Sequence, residues 1–346
     1  MRVRSVFVVD FRNQARAEVA FEPGLNVIVG PNGVGKTNLL EAVDVTATGR
    51  SHRTVRETEV IRFGAEQAVA RAAYERAGGG HVAEVRLYRS GLKHIRINGA
   101  RTSRAGLLGR VVRVLSGPQD SEVVAGPAGH RRRLMDGVLC QLSASHYRNL
   151  LRYARVLQQR NRLLRAGAPA QLLEVWDEQL IELGTAITDR RASLVRRLAQ
   201  HASEAGAALG CGGVGLRYLP SWSGEAEGAR VALLKARREE YRRGVTLTGP
   251  HRDDLEITLD GIAVRAFGSR GQQRAVVVAL RLAEREVVRK EMGEDPVLLF
   301  DDVLSDLDRA RAARLLEIVS SCGQAVLTAT DRSAVHTAAT VVVVGP

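Results

Sequence analysis

Short apolar runs rich in β-branched residues open the chain. Val3–Val9, Ala17–Phe21, Leu25–Val29, Ala68–Ala73, Val82–Tyr88 and His94–Ile97 have strand length and strand composition. Turn residues separate several of them: Pro23-Gly24, Gly78-Gly79-Gly80 and Asn98-Gly99, the last centring a hairpin over Lys93–Arg101. Val111–Leu115 is a further strand, ending at Ser116-Gly117-Pro118-Gln119-Asp120. From 121 to 244 strand signals largely vanish and helical periods take over. On a wheel, Ser143–Arg165 gathers Leu150, Leu157, Asn161 and Leu164 on one side, with Tyr153 and Ala154 flanking. Arg148, Arg152, Arg155, Gln159 and Arg162 fall on the other. Leu172–Leu209 and Ala229–Arg243 are further helical regions, and no heptad pattern persists long enough for an extended coiled coil. Beyond 245 the pattern alternates again. Val245–Leu247 and Leu255–Leu259 predict strands, Gln272–Lys290 a helix, Val297–Phe300 a buried strand, Asp308–Ser320 a helix and Ala325–Thr328 a strand. Thr340–Val344 predicts a last buried strand. The simplest architecture is an α/β lobe built from 1–120 and 245–346, with a mainly helical lobe, 121–244, inserted in its middle.

Composition narrows the partners more than the fold. The 346 residues are 45% hydrophobic and 26% charged, ordinary for a globular protein. A net charge of +13 is not ordinary for an enzyme acting on small anions, and points to a polyanionic partner, most often nucleic acid and less often a membrane surface. Arginine supplies nearly all of it, since the only lysines are Lys36, Lys93, Lys235 and Lys290. Aromatics are only 4%, so base stacking is not the expected mode of contact. An arginine-rich helical lobe fits the phosphate backbone instead, with Arg148, Arg152, Arg155 and Arg162 as its contacts. Cys140, Cys211 and Cys322 are far apart, which predicts neither a zinc site nor a disulfide framework and fits a reducing cytoplasm. The first residues are too short and interrupted a run for a signal peptide, and no run is long enough to span a membrane.

The chemistry begins at Gly30-Pro31-Asn32-Gly33-Val34-Gly35-Lys36-Thr37, between a buried strand and a helix. This is the spacing of a phosphate-binding loop, whose glycines let backbone N–H groups face phosphate oxygens. Lys36 would reach the β- and γ-phosphates and the Thr37 hydroxyl would ligate Mg²⁺. Val297–Phe300 ends in Asp301-Asp302. Asp301 can hold Mg²⁺, and Asp302 can polarise the water that attacks the γ-phosphate. Ser269 and the Gly271 backbone, opening a long helix, form a second anion site. Two phosphate sites on one chain are best explained by two molecules that each contribute half of a shared site.

Gly30–Thr37, Gln119, Ser269-Arg270-Gly271-Gln272-Gln273, Asp301-Asp302 and Ser305-Asp306-Leu307-Asp308 follow one another as in the ABC-type ATPases. With Phe11-Arg12-Asn13, Gly49–Arg53, Arg131–Arg133 and Gly249–Leu255, the chain resembles the RecF family over nearly its whole length. The resemblance implies an ABC-type ATPase head that dimerises on ATP, binds double-stranded DNA and hydrolyses ATP slowly to reset. It also implies action at single-strand gaps and junctions, with RecO and RecR, to load RecA and support the SOS response. By the same resemblance Asn32, Gly33, Val34, Gly35, Lys36, Thr37 and Asn38 bind ATP, and Arg12 and Asn13 touch it from the edge strand. Thr37, Gln119 and Asp301 surround Mg²⁺, and Asp302 is the base. Ser269, Gly271 and Gln272 contact the partner's γ-phosphate, and Asp306 and Asp308 line the dimer interface. Three positions depart from the pattern. Asp302 and Asp306 stand where Glu is common, and Thr328-Ala329-Thr330 replaces the switch histidine of transporters. An SMC-like repair ATPase would need long coiled coils, and a transporter motor a much shorter stretch between Gly35 and Ser269.

Overall fold

The computed structural model describes residues 1–76, 79–222, 225–331 and 339–343. Gly78 of the glycine turn and Val344 of the tail lie outside them. The first third contains β1 (Arg2–Phe11), β2 (Gln14–Ala20), β3 (Gly24–Val29), α1 (Lys36–Thr48), β4 (Gln67–Arg76), β5 (Gly79–Tyr88), β6 (Lys93–Ile97), β7 (Ala100–Thr102), the short α2 (Arg104–Leu107) and β8 (Arg113–Ser116). The middle contains α3 (Ser121–Ala125), α4 (Ala128–Leu142), α5 (Ala144–Arg165), the 40-residue α6 (Ala170–Leu209), β9 (Val214–Leu219) and α7 (Ala226–Arg243). The last third contains β10 (Asp254–Leu259), β11 (Ile262–Ala263), α8 (Val264–Phe267), α9 (Arg270–Met292), β12 (Val297–Phe300), α10 (Arg309–Ser320), β13 (Gln324–Ala329) and β14 (Thr340–Val343).

The strands form three sheets. Six pair antiparallel in the order β2-β1-β4-β5-β6-β7, and five pair in parallel in the order β14-β3-β13-β12-β8. The parallel sheet draws strands from both ends of the sequence. Its inner strands are apolar on both faces because both are covered. Val297, Leu299, Val326 and Ile28 face α1 and the antiparallel sheet, while Leu298, Phe300, Leu327 and Val27 face α4, α6, α9 and α10. The helix that begins at the phosphate loop is therefore clamped between two sheets.

The 121–244 stretch divides its apolar residues between two cores. Val123, Leu134, Met135, Leu194, Leu198 and Leu209 belong to the core of the α/β head. Tyr153, Val156, Leu180, Ile187, Trp222 and Leu233 form a separate small core. α6 runs through both.

Three expectations need correction. Val245–Leu247 is not a strand. Gly244 ends α7 at φ 67°, and the next amides are claimed by side chains. Thr246 N–H donates to Asn161 Oδ1 at 2.8 Å and Leu247 N–H to Glu240 Oε1 at 2.8 Å. Conversely Val214–Leu219, diluted by glycine and set among helices, is a strand, because β10 offers it an antiparallel edge. β14 is an edge strand and not a buried one, with Val343 76% exposed.

The buried face of α5 is also rotated from the one expected. It carries His146, Tyr153, Val156, Arg160 and Leu164, while Leu150, Leu157 and Asn161 are half-buried. The cause is Arg160, which is wholly buried and binds two carboxylates: Nε to Asp177 at 2.6 Å and Nη2 to Glu240 at 2.7 Å. Its remaining Nη1 donates to Thr246 at 2.9 Å. Replacing the arginine with a neutral side chain leaves buried Glu240 without an ion-pair partner among the described residues, while Asp177 keeps Arg237. Arg160→Met is expected to lower unfolding free energy by about 3–5 kcal/mol, read from urea midpoints followed by circular dichroism.

Candidate functional site

The phosphate loop leaves β3 at Val29 and enters α1 at Lys36. Gly33 and Gly35 take left-handed conformations, φ 85° and 109°. A Cβ on Gly35 would lie 2.0 Å from Gln14 Nε2, so a larger residue, already strained at this φ, would displace the Gln14 amide that holds the loop. The turn between β1 and β2 grips the loop from outside: Asn13 Nδ2 donates to Gly33 O at 2.8 Å and Gln14 Nε2 to Val34 O at 2.6 Å. Because the peptide is planar and trans, tying Val34 O to Gln14 points Gly35 N–H the opposite way, away from that turn. The start of α1 has no side-chain cap and no acid in its first turn, leaving N–H donors for an anion. Lys36 is 9% exposed, and its Nζ folds back on Gly30 O at 2.6 Å and Pro31 O at 3.1 Å.

Asn13 and Asn38 meet beside the loop, with Asn38 Nδ2 donating to Asn13 Oδ1 at 2.7 Å. Arg12 is not on an edge strand. It lies in the β1–β2 turn at φ 56°, and β1 is an interior strand. Its guanidinium holds Glu41 at 2.7 Å and 3.0 Å and donates to Glu59 O at 2.9 Å. Glu41 is fully buried; burial alone would raise its pKa, but Arg12, Ser51 and Arg53 together hold it below the ordinary range. One turn further along α1, buried Asp44 binds Arg113 at 2.6 Å and His52 Nδ1 at 2.9 Å. These partners outweigh desolvation and hold Asp44 at about 2.

The acidic end of the site follows β12. Asp301 N–H donates to Ser116 O at 2.8 Å, which brings the turn after β8 alongside. Asp301 Oδ1 accepts the hydroxyl of Thr37 at 2.9 Å and that of Thr328 at 2.8 Å. The phosphate loop and Asp301 thus meet, as the sequence predicts. Gln119 sits exposed in that neighbouring turn, its side chain unbonded among the described residues. The turn is fastened to α9, since Asp120 takes a two-pronged bond from half-buried Arg281 at 2.8 Å and 2.9 Å. Asp302 is exposed and left-handed, φ 53° and ψ 26°, with its N–H donated to Thr328 Oγ1 at 2.8 Å. The sequence leaves open whether Thr328 or Thr330 stands in for the switch histidine; strand register brings Thr328 to the Asp301 carboxylate and the Asp302 backbone.

Ser269 caps α9 and forms a reciprocal box with Gln272: Gln272 N–H donates to Ser269 Oγ at 3.3 Å and Ser269 N–H to Gln272 Oε1 at 2.9 Å. Ser269, Gly271 and Gln272 are exposed, as is Phe267 beside them. Among the described residues no hydrogen bond or ion pair joins them to the phosphate loop. Asp306 pairs with Arg274 of α9, and its pKa is raised, chiefly by partial burial, with Arg274 opposing and Asp302 adding to the rise. Asp308 caps α10 through Arg311 N–H at 2.9 Å. Both acids are thus engaged within their own chain.

Arg148, Arg152, Arg155 and Arg162 are all exposed on α5, and none has an acidic partner among the described residues. The other basic motif behaves differently. Buried Arg131 binds Asp254 at 2.6 Å and Arg132 donates to Asp253 O at 2.6 Å, so the arginine triplet docks onto the Gly249–Leu255 segment. His251 is likewise internal: Nδ1 lies 2.8 Å from Tyr153 Oη and Nε2 3.1 Å from Thr246 O, and burial lowers its pKa to about 4.

A family model described as RecF/RecN/SMC N terminal domain matches residues 2–345. The DNA replication and repair protein RecF of Symbiobacterium thermophilum is 41% identical over 334 residues, covering 93% of this chain and 89% of that protein. The chain belongs to the RecF family. The RecF of Deinococcus radiodurans is 40% identical over 333 residues, covering 96% of this chain and 91% of that one. A solved structure described as the recombination mediator protein RecF-ATP in the RecFOR pathway matches with a TM-score of 0.89 and 30% identity, over 96% of this chain and 92% of that one. An Smc head matches at 17% identity and a TM-score of 0.56, a likeness of fold alone. The ABC-type ATPase head predicted from the motifs is therefore the fold of this RecF-family chain. No helix among the described residues is long and apolar enough to cross a membrane.

Asp44 pins α1 to β8 through Arg113. Its carboxyl titrates at about 2 when folded against an ordinary 3.8, so its stabilisation is complete above pH 4 and is lost as pH falls toward 2. The linkage is worth about 2 kcal/mol. Asp44→Asn should unfold at lower urea than wild type at pH 7, with the gap narrowing below pH 4. A gap independent of pH would assign the loss to packing instead.

Proposed function

We propose that this chain is an ATP-gated, DNA-binding ATPase of the recombination-mediator type, working as a dimer. The observation that carries the reading is that one chain offers two candidate anion sites which, among the described residues, no hydrogen bond or ion pair joins. One is the loop Gly30–Thr37 with Asp301 and Asp302; the other is the exposed start of α9 at Ser269, Gly271 and Gln272. A second copy would complete each.

In the proposed site Asn32, Gly33, Val34, Gly35 and the first turn of α1, with Asn38, cradle the phosphates of ATP. Lys36 would exchange its bonds to Gly30 O and Pro31 O for phosphate oxygens. Asn13 shapes the loop from outside, and Arg12 acts on it through Glu41. Thr37, Asp301 and Gln119 offer hydroxyl, carboxylate and amide oxygens, a hard set that suits Mg²⁺. The Thr37 and Asp301 oxygens already lie 2.9 Å apart. Bound Mg²⁺ would supply charge neutralisation at the phosphate oxygens. Asp302 accepts a proton from the attacking water as that oxygen bonds to the γ-phosphorus and the bond to ADP breaks. With one methylene fewer than glutamate it holds the water less closely, which supports slow turnover.

The unpaired arginines on α5 support contact with duplex phosphates, which fixes position without reading sequence. Membership of the RecF family supports extending the reading to action in the cytoplasm at single-strand gaps and junctions, alongside RecO and RecR, toward loading RecA.

Sedimentation of wild type and Ser269→Arg, with ATP or ADP and with or without a short duplex, tests the shared site. Wild type should dimerise with ATP and not ADP, and duplex should favour the dimer. Ser269→Arg should stay monomeric while its ATP affinity remains within about threefold of wild type. A wild type indifferent to ATP, or a variant that dimerises normally, overturns the reading.

A further inference from the structure

We propose that Thr328 is a positioning residue that clips Asp302 into its working conformation. The proposal rests on the reading of Asp302 as the base. Four of the non-glycine residues at positive φ, Asp10, Arg12, Asn98 and Asp260, lie in or at the mouths of hairpins. Asp302 does not. It follows a buried parallel strand, where the chain has no hairpin to impose that conformation. The left-handed region costs an L-residue about 1–2 kcal/mol, so something must hold it there.

Two hydroxyls do so. Thr328 Oγ1 accepts Asp302 N–H at 2.8 Å, and Ser305 Oγ donates to Asp302 O at 2.8 Å. Both backbone groups of Asp302 are tied while its carboxylate stays exposed. Thr328 gives its own proton to Asp301 Oδ1 at 2.8 Å. A hydroxyl has one proton and two lone pairs, so it serves both acids at once. At 2% exposure Thr328 is shielded from water that could replace it. The side chain therefore ties the carboxylate of the acid assigned to the metal to the backbone of the acid assigned to the water.

Thr328→Val keeps the shape and removes the hydroxyl, and Thr328→Ser keeps the hydroxyl. In nucleotide-free protein, amide exchange at Asp302 should accelerate at least about tenfold in the valine variant and little in the serine variant. Exchange at Ala325 and Leu327, within β13, should not change and reports that the sheet is intact. ATP turnover should fall at least about tenfold in Thr328→Val, with ATP affinity within about threefold of wild type, and recover in Thr328→Ser. Unchanged exchange at Asp302 overturns the clip. Faster exchange with unchanged turnover, or equal loss in both variants, overturns its part in hydrolysis. A wild type that binds no ATP overturns the ATPase reading and the role of Asp302 with it, while the exchange rates still decide the clip.

Discussion

The parallel pairing of β3 with β13, and of β13 with β12, is the constraint on which the site depends. Gln324 faces Gly24 and Ala329 faces Val29 across the first pair; Leu298 faces Ala325 and Phe300 faces Leu327 across the second. That register delivers Thr37, Thr328 and Asp301 to one end of the sheet from segments far apart in sequence. A slip of one residue would turn Thr328 to the other face and carry Leu327 into the polar cluster. The alternation of Leu298 and Phe300 toward one core, and Val297 and Leu299 toward the other, makes such a slip costly. Packing on both faces of the sheet thus fixes polar geometry at its edge.

The arginines play several structural parts that composition does not distinguish. Some, such as Arg217 and Arg242, are exposed and still paired with acids. Arg131, Arg160, Arg191 and Arg281 are internal and each is bound to carboxylates. Arg148, Arg152, Arg155 and Arg162 are external and unpaired. Arg160 and Arg162 stand two residues apart on one helix and do opposite things. The net charge is therefore expressed where acids are absent, and not uniformly over the surface.

What was legible in the sequence was what local pattern encodes. The phosphate loop, the apolar run before Asp301 and the Asn98-Gly99 hairpin each depend on residues close in sequence, and the structure contains them. What was not legible depends on partners far away. Thr246 and Leu247 look like strand residues, but their amides are taken by Asn161 and Glu240. Val214–Leu219 looks like a loop, and becomes a strand because β10 lies beside it. Arg12 lies in a family-like motif, and only the structure reveals that Glu41 holds it. The α5 wheel failed at Arg160 because a wheel reads hydropathy and the buried group is a cation.

The continuity of α6 has a mechanical meaning. Its C-terminal half is bedded in the head beside α9, with Arg197 bonded to Glu291, and its N-terminal half carries the core that includes α5 and α7. At about 1.5 Å per residue the helix is about 60 Å long. It runs without a break from one core to the other, so a rotation of its C-terminal half would be passed to the outer core. A tilt of about 10° where α6 meets α9 sweeps the far end, some 18 residues out, through about 5 Å. The exposed arginines lie on α5, which packs against that helix, so the same tilt would displace the surface they present.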